Sequence, residues 1–158
     1  MTEIEAIGVV DEPVEAVFAF LSTLENHWTL AGRWIEVVAL APDAQGGRVR
    51  IRGPLGLRRT VTIRVEATDP PVSMRGMARL GATRAEVSWT LSPRGTDATE
   101  VRLAAAVVRA GPLDRALLAL GGRRWMRRLF AATLARLPAT LAARAPSAGA
   151  PALSSGRA

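Results

Sequence analysis

The sequence predicts an α+β domain: an N-terminal strand, a pair of short helices, a six-strand antiparallel meander and one long C-terminal helix, in that order. Three observations carry this. Hydrophobic residues recur at helical spacing from Val14 to Leu21, at a spacing of two from about residue 33 to Arg109, and at helical spacing again from Leu113 onward. Turn residues separate the period-two runs at intervals too short for crossover helices, which leaves antiparallel hairpins. A chain of 158 residues with 49% hydrophobic content can bury one substantial core, so one domain is expected.

The first strand runs into Asp11-Glu12-Pro13, and Val14, Val17, Phe18 and Leu21 then repeat at i, i+3, i+4 and i+7, one face of a short helix. Pro13 suits the first turn, where a missing N–H costs nothing, and the acids before it favour the positive helix end. A second short helix or turn is expected over Thr23 to Trp28. Strand-like runs follow near 33–40, 47–53, 57–67, 72–79, 82–91 and 99–109. Pro42-Asp43 to Gly47, Pro54-Leu55-Gly56, Asp69-Pro70-Pro71, Gly81 and Pro93-Arg94-Gly95 punctuate them.

One hairpin can be read to its register. With Pro54-Leu55-Gly56 as a three-residue loop and Gly56 left-handed, Arg52 faces Arg58, Ile51 faces Arg59 and Val49 faces Val61. Val49, Ile51, Val61, Ile63 and Val65 then share the core side, while Arg48, Arg50, Arg52, Arg58 and Arg64 share the other. Anchoring each later strand on its most apolar parity turns Val72, Met74, Ala78, Val87, Trp89, Leu91, Val101, Leu103 and Val107 inward as well. Gly111-Pro112 opens the last helix, expected from Leu113 to about Leu141 with Pro138 as its interruption. Leu118, Gly122, Trp125, Met126, Leu129, Phe130, Thr133 and Leu137 fall on one arc of it, with Arg123, Arg124, Arg127 and Arg128 opposite. The domain is placed at 1–143, and 144–158, small and Pro-containing, reads as a disordered tail.

Several chemistries are excluded by composition. All 21 Lys-or-Arg residues are Arg, Cys is absent and His occurs once. That rules out a lysine Schiff base, a phosphate-binding Walker lysine, thiolate nucleophiles and the usual zinc ligand sets. None of Ser22, Ser73, Ser88 or Ser92 sits in a G-x-S-x-G elbow, and no G-x-G-x-x-G follows a strand. No cofactor and no metal is expected. The acidic N-terminal stretch, broken at Pro13, does not read as a signal peptide, so a cytoplasmic location is the expectation.

Inward residues that could meet a ligand are few in type. Arg59 and Thr83 share the inward parity, and Thr133 lies near Leu129 on the helix arc. Arg59 offers a planar fork for a carboxylate or phenolate, or else snorkels to water from the hairpin end. His27 is the single side chain that titrates near neutrality, although the end of a short helix is an ordinary place for an exposed histidine. Trp28, Met74, Trp89, Trp125 and Met126 would make a wall for a flat apolar molecule, or simply core. Gly121-Gly122 within a helix costs roughly 1 kcal/mol per Gly, which points to a bend or to room for a ligand.

The segments IEAIGVVDEPVEAVFAFLS (4–22) and GPLDRALLALGGRRWMRRLFAATLARL (111–137), with Trp28 after the second short helix, resemble the START/SRPBCC superfamily. The likeness is to its polyketide cyclase/dehydrase and lipid transport branch and covers residues 3 to about 143. It implies a helix-grip fold: a curved seven-stranded antiparallel sheet wrapped around the long C-terminal helix, with a cavity between them capped near the short helices.

Three functions follow as expectations. The first is binding or carriage of a small hydrophobic molecule in the cavity. The second, implied by the resemblance, is an aromatase/cyclase-type enzyme assisting aldol closure or dehydration, with His27 as acid/base and Arg59 or Thr83 holding an enolate oxygen. The paucity of inward polar residues favours the first. The third is contact of the Arg faces with an anionic membrane or a partner, since the net charge is +7. Nucleic acid is disfavoured, because the aromatic platforms common in single-strand binders are missing.

Overall fold

The computed structural model describes residues 2–144. In chain order it contains β1 (Thr2–Val10), α1 (Val14–Leu21), α2 (Leu24–Ala31), β2 (Ile35–Leu40), β3 (Gly46–Arg52), β4 (Arg58–Asp69), β5 (Ser73–Leu80), β6 (Thr83–Pro93), β7 (Thr99–Arg109), α3 (Pro112–Leu117) and α4 (Arg123–Arg144). A π-helical turn, Leu118–Gly122, joins α3 to α4. All seven strands form one antiparallel sheet in the order β1-β7-β6-β5-β4-β3-β2, so the meander runs β2 to β7 and β1 closes beside the last strand. This is the helix-grip arrangement. The helical end of the expected tail, Arg144, belongs to α4, and 145–158 lie outside the described residues.

The β3–β4 register is the one expected: Arg52 opposite Arg58, Ile51 opposite Arg59, Val49 opposite Val61. Gly56 takes φ +75°, and Leu55 beside it is also left-handed at φ +59°. Register shifts between Val37 and Ala39, between Val65 and Ala67, and between Arg84 and Ala85 interrupt three ladders. Each adds local twist, and together they curve the sheet around α4.

Three local expectations change. On α1 it is Phe20 that is buried with Val14, Val17 and Leu21, while Phe18 is half-buried. The second helix runs on to Ala31, which moves His27 from a helix end to mid-helix. Val72 is 47% exposed, because it belongs to the turn before β5, where its N–H donates to the Asp69 carbonyl.

The Gly121-Gly122 pair makes a bend. Gly121 has φ +118°, a conformation that side chains rarely adopt, and a Cβ on Gly122 would lie 2.7 Å from the Leu117 carbonyl oxygen. The bend lets α4 re-aim, and it continues through Pro138 to Arg144. Its face toward the sheet buries Leu129, Phe130, Thr133, Leu134, Leu137 and Leu141. Among the described residues no helix is long and apolar enough to cross a membrane.

Candidate functional site

The interior between sheet and α4 is not one continuous core. Buried residues of β1, α1, β6, β7 and α4, with Leu30 and Met74, form the larger cluster. Leu24, Trp28, Val49 and Val61 form a second, with Ile51, Ile63 and Val65 half-buried against it. A cavity of about 280 Å³ lies between the two, its wall drawing Leu21 and Met74 from the first and Leu24 and Val65 from the second. Phe18 and His27 complete the apolar side, while Ser22, Gln45 and Thr68 supply polar groups. The volume is just below the roughly 300–1,000 Å³ typical of small-molecule sites.

Local contacts hold this wall in place. Asn26 Nδ2–H donates to the Phe20 carbonyl at 2.6 Å, and its own Oδ1 accepts from Arg144, so α1, α2 and the end of α4 are tied together. Gly47 lets the Trp28 indole approach β3 closely, since a Cβ there would come within 2.6 Å of the ring. Trp28 thereby supports the cavity from behind, as part of the second cluster.

His27 faces inward. Its Nε2–H donates to the Leu21 carbonyl at 2.5 Å, which assigns the proton to Nε2 and leaves Nδ1 as an acceptor. Its ring centroid is 5.1 Å from that of Trp89. Burial lowers its pKa from 6.5 to about 4, against the raising effect of the Leu21 hydrogen bond. The imidazole is therefore neutral at physiological pH.

A stability prediction follows from that shift. The unfolded imidazole protonates near 6.5 and the folded one only near 4, so the unfolded state binds more protons in between. Stability is thus expected to fall as pH drops from about 6.5 towards 4, by about 2 kcal/mol between pH ~7 and pH ~5. The chain holds one His, so the difference between parent and His27→Gln in urea melts across that window isolates its contribution, and the variant should show a flatter dependence.

The other candidate residues are distributed differently. Arg59 and Thr83 lie at the far end of the sheet, where β4 and β6 begin, whereas the cavity is lined from the other end of β4 by Val65 and Thr68. Arg59 Nη1–H donates to Asp114 Oδ1, Thr83 Oγ1–H donates to Asp114 Oδ2, and the Gly111 N–H donates to Thr83 Oγ1 at 3.0 Å. Asp114, 9% exposed, thus locks α3 to β4 and β6. Sequence reasoning missed it, since an acid in a first helical turn is commonplace and its partners are 55 and 31 residues away.

Trp89 and Met74 are buried near the cavity, and Met74 lines it. Trp125 instead meets Trp34 edge-on, with centroids 6.2 Å apart, and is half-buried together with Met126. Leu129 is core, and Thr133 Oγ1–H donates back to the Leu129 carbonyl at 2.8 Å, so its hydroxyl is satisfied within the helix. Among the described residues no group of three or more His, Asp or Glu is placed to hold a metal ion.

A family model described as polyketide cyclase/dehydrase and lipid transport matches residues 1–142. No curated protein matches the chain. Among solved structures, the protein TTHA0849 of Thermus thermophilus superposes with a TM-score of 0.70 at 22% identity, covering 92% of this chain and 100% of that one. The Zhui aromatase/cyclase of a Streptomyces species gives 0.67 at 17% identity, covering 94% and 98%. A START superfamily protein of Mycobacterium smegmatis gives 0.56 at 14% identity, covering 85% and 98%. At these identities the likeness concerns the fold.

Proposed function

The chain belongs to the polyketide cyclase/dehydrase and lipid transport family, and from that premise we propose that it binds and carries a small apolar organic molecule in the cavity beside His27. The observation that supports this most is the division of the apolar interior into two clusters with the cavity between them. A ligand there joins the two cores and gains about 25 cal/mol for each Å2 of its apolar surface removed from water. His27 Nδ1, with Ser22, Gln45 and Thr68, orients a hydroxyl or amide on the ligand.

Cyclisation, the activity named for the Streptomyces neighbour, is the alternative chemistry. It finds less support in this site. A base whose conjugate acid has a pKa of about 4 is weak for proton abstraction near neutral pH. Arg59 and Thr83, suited to holding an enolate oxygen, are engaged by Asp114 at the other end of β4. These observations favour carriage over catalysis.

Titration of the full chain with N-phenyl-1-naphthylamine, followed by the dye's fluorescence, tests the proposal. Met74→Trp from the buried wall and Thr68→Trp from the exposed rim are each expected to weaken binding tenfold or more, while Arg59→Gln leaves it unchanged. If both tryptophan variants, folded by circular dichroism, bind the dye as the parent does, the cavity is not the site.

A further inference from the structure

At the end of the molecule away from the His27 cavity, two features coincide. The first is apolar. Leu55 is fully exposed at the β3–β4 tip, Leu120 is 85% exposed in the π-helical turn, and Leu113 and Leu57 are 60% and 42% exposed. The Arg59–Asp114 ion pair holds the base of that tip against α3, so the leucines of tip and helix belong to one end. Leu55 occupies its position at a left-handed φ of +59°, where a leucine is unfavourable on backbone grounds alone.

The second feature is charge. Arg79 lies directly opposite Arg84, and the bulge between Val107 and Arg109 brings Arg109 opposite Arg84 in turn. Arg58 begins β4 opposite Arg52. Like charges facing each other across strands destabilise a sheet. Elsewhere on the outer face Arg50 and Arg52 are compensated by Glu36, Arg64 by Asp43 and Arg102 by Glu3 and Glu5, while Arg48 and Arg75 stand singly without an acid among the described residues. Arg58, Arg79, Arg84 and Arg109 have no acidic partner among the described residues. At this end four uncompensated cations and the protruding apolar side chains occur together.

We infer that this end docks on an anionic lipid bilayer, the leucines entering the interface and the four arginines contacting lipid phosphates. Protruding apolar side chains ringed by unpaired cations complement such a surface in both its layers. The apolar, half-buried Leu80, Val87, Leu118 and Trp125 lie on the inner face towards this end, so docking sets the interior of the grip against the bilayer. The docking does not rest on the proposed function, whose cavity lies at the other end of the molecule.

Co-sedimentation of the full chain with vesicles of phosphatidylcholine alone and of phosphatidylcholine mixed with phosphatidylglycerol tests the inference. Association is expected with the anionic vesicles, weakened by added salt, and little with the neutral ones. Leu55→Asp combined with Leu120→Asp is expected to reduce partitioning tenfold or more. Arg79→Gln, Arg84→Gln and Arg109→Gln together should do so by about fivefold per arginine and remove most of the salt dependence. Val9→Ser, exposed at the opposite end of β1, should change nothing.

Absence of association overturns the docking, as does association that survives the leucine substitutions in folded protein. Binding of a short DNA duplex as tight as that of vesicles, and indifferent to those substitutions, overturns it in favour of nucleic acid. Failure here with dye binding intact removes the docking alone, and vesicle binding with no cavity binding removes the carrier proposal alone.

Discussion

Leu137→Ala is expected to lower the unfolding free energy by about 4 kcal/mol, within the roughly 2–5 kcal/mol found for leucine truncation in cores. Leu137 has no exposed surface, and it sits where α4 presses on the sheet and the larger apolar cluster. Truncation forfeits both the transfer free energy of the side chain and the dispersion contacts around it, since a rigid helix and a paired sheet close the gap only in part. For a domain with a total stability of about 5–15 kcal/mol this is a large fraction. Urea melts followed by circular dichroism measure it. Leu120→Ala, at a residue 85% exposed in the π-helical turn before α4, is the control and is expected to change stability by less than about 0.5 kcal/mol.

Asp114→Ala is expected to cost about 3 kcal/mol. The carboxylate accepts from Arg59 and Thr83 at once, and the Arg59 side chain is only 27% exposed. Removal strands a largely desolvated guanidinium and a hydroxyl, a penalty of about 3–5 kcal/mol for a fully buried pair and less where water reaches the cation. The double replacement Arg59→Met with Asp114→Leu should recover most of the loss, because the expensive state is the half-broken pair. A double-mutant cycle of urea midpoints separates this from simple loss of packing. Equal destabilisation by the single and the double variants would contradict it.

The strands were legible because the pattern that names them is local. Alternation from Val49 to Ile51 and from Val61 to Val65, with a turn containing a glycine between, constrains the pairing to one register. The long helix was legible for the same reason, and the cost of Gly121-Gly122 pointed to the bend found there. What sequence left out is what depends on contacts between distant segments. Asp114 acquires its role from β4 and β6, and its own neighbours reveal nothing of them. His27 looked like a helix-end residue because α2 was expected to stop at Trp28, whereas it runs three residues further to its glycine cap at Gly32, which leaves His27 within the helix with its ring against Trp89. Phe18 and Phe20 lie about eighty degrees to either side of the stripe of Val17 and Leu21, and only the packing of α1 on both cavity and core decides which is covered. The cavity was implied by the family resemblance, but its place between two apolar clusters depends on contacts between distant segments.

The seating of β1 beside β7 carries a consequence for biogenesis. Ile4 finds its neighbour, Ala105, only after almost the whole sheet has emerged from the ribosome, and until then a strand with apolar Ile7 and Val9 waits unmatched. A topology in which the first and last strands meet raises contact order and slows folding relative to helical domains of this size. Nascent chains stalled before residue 109 should therefore be protease-sensitive throughout, and protection should arise late and nearly all at once.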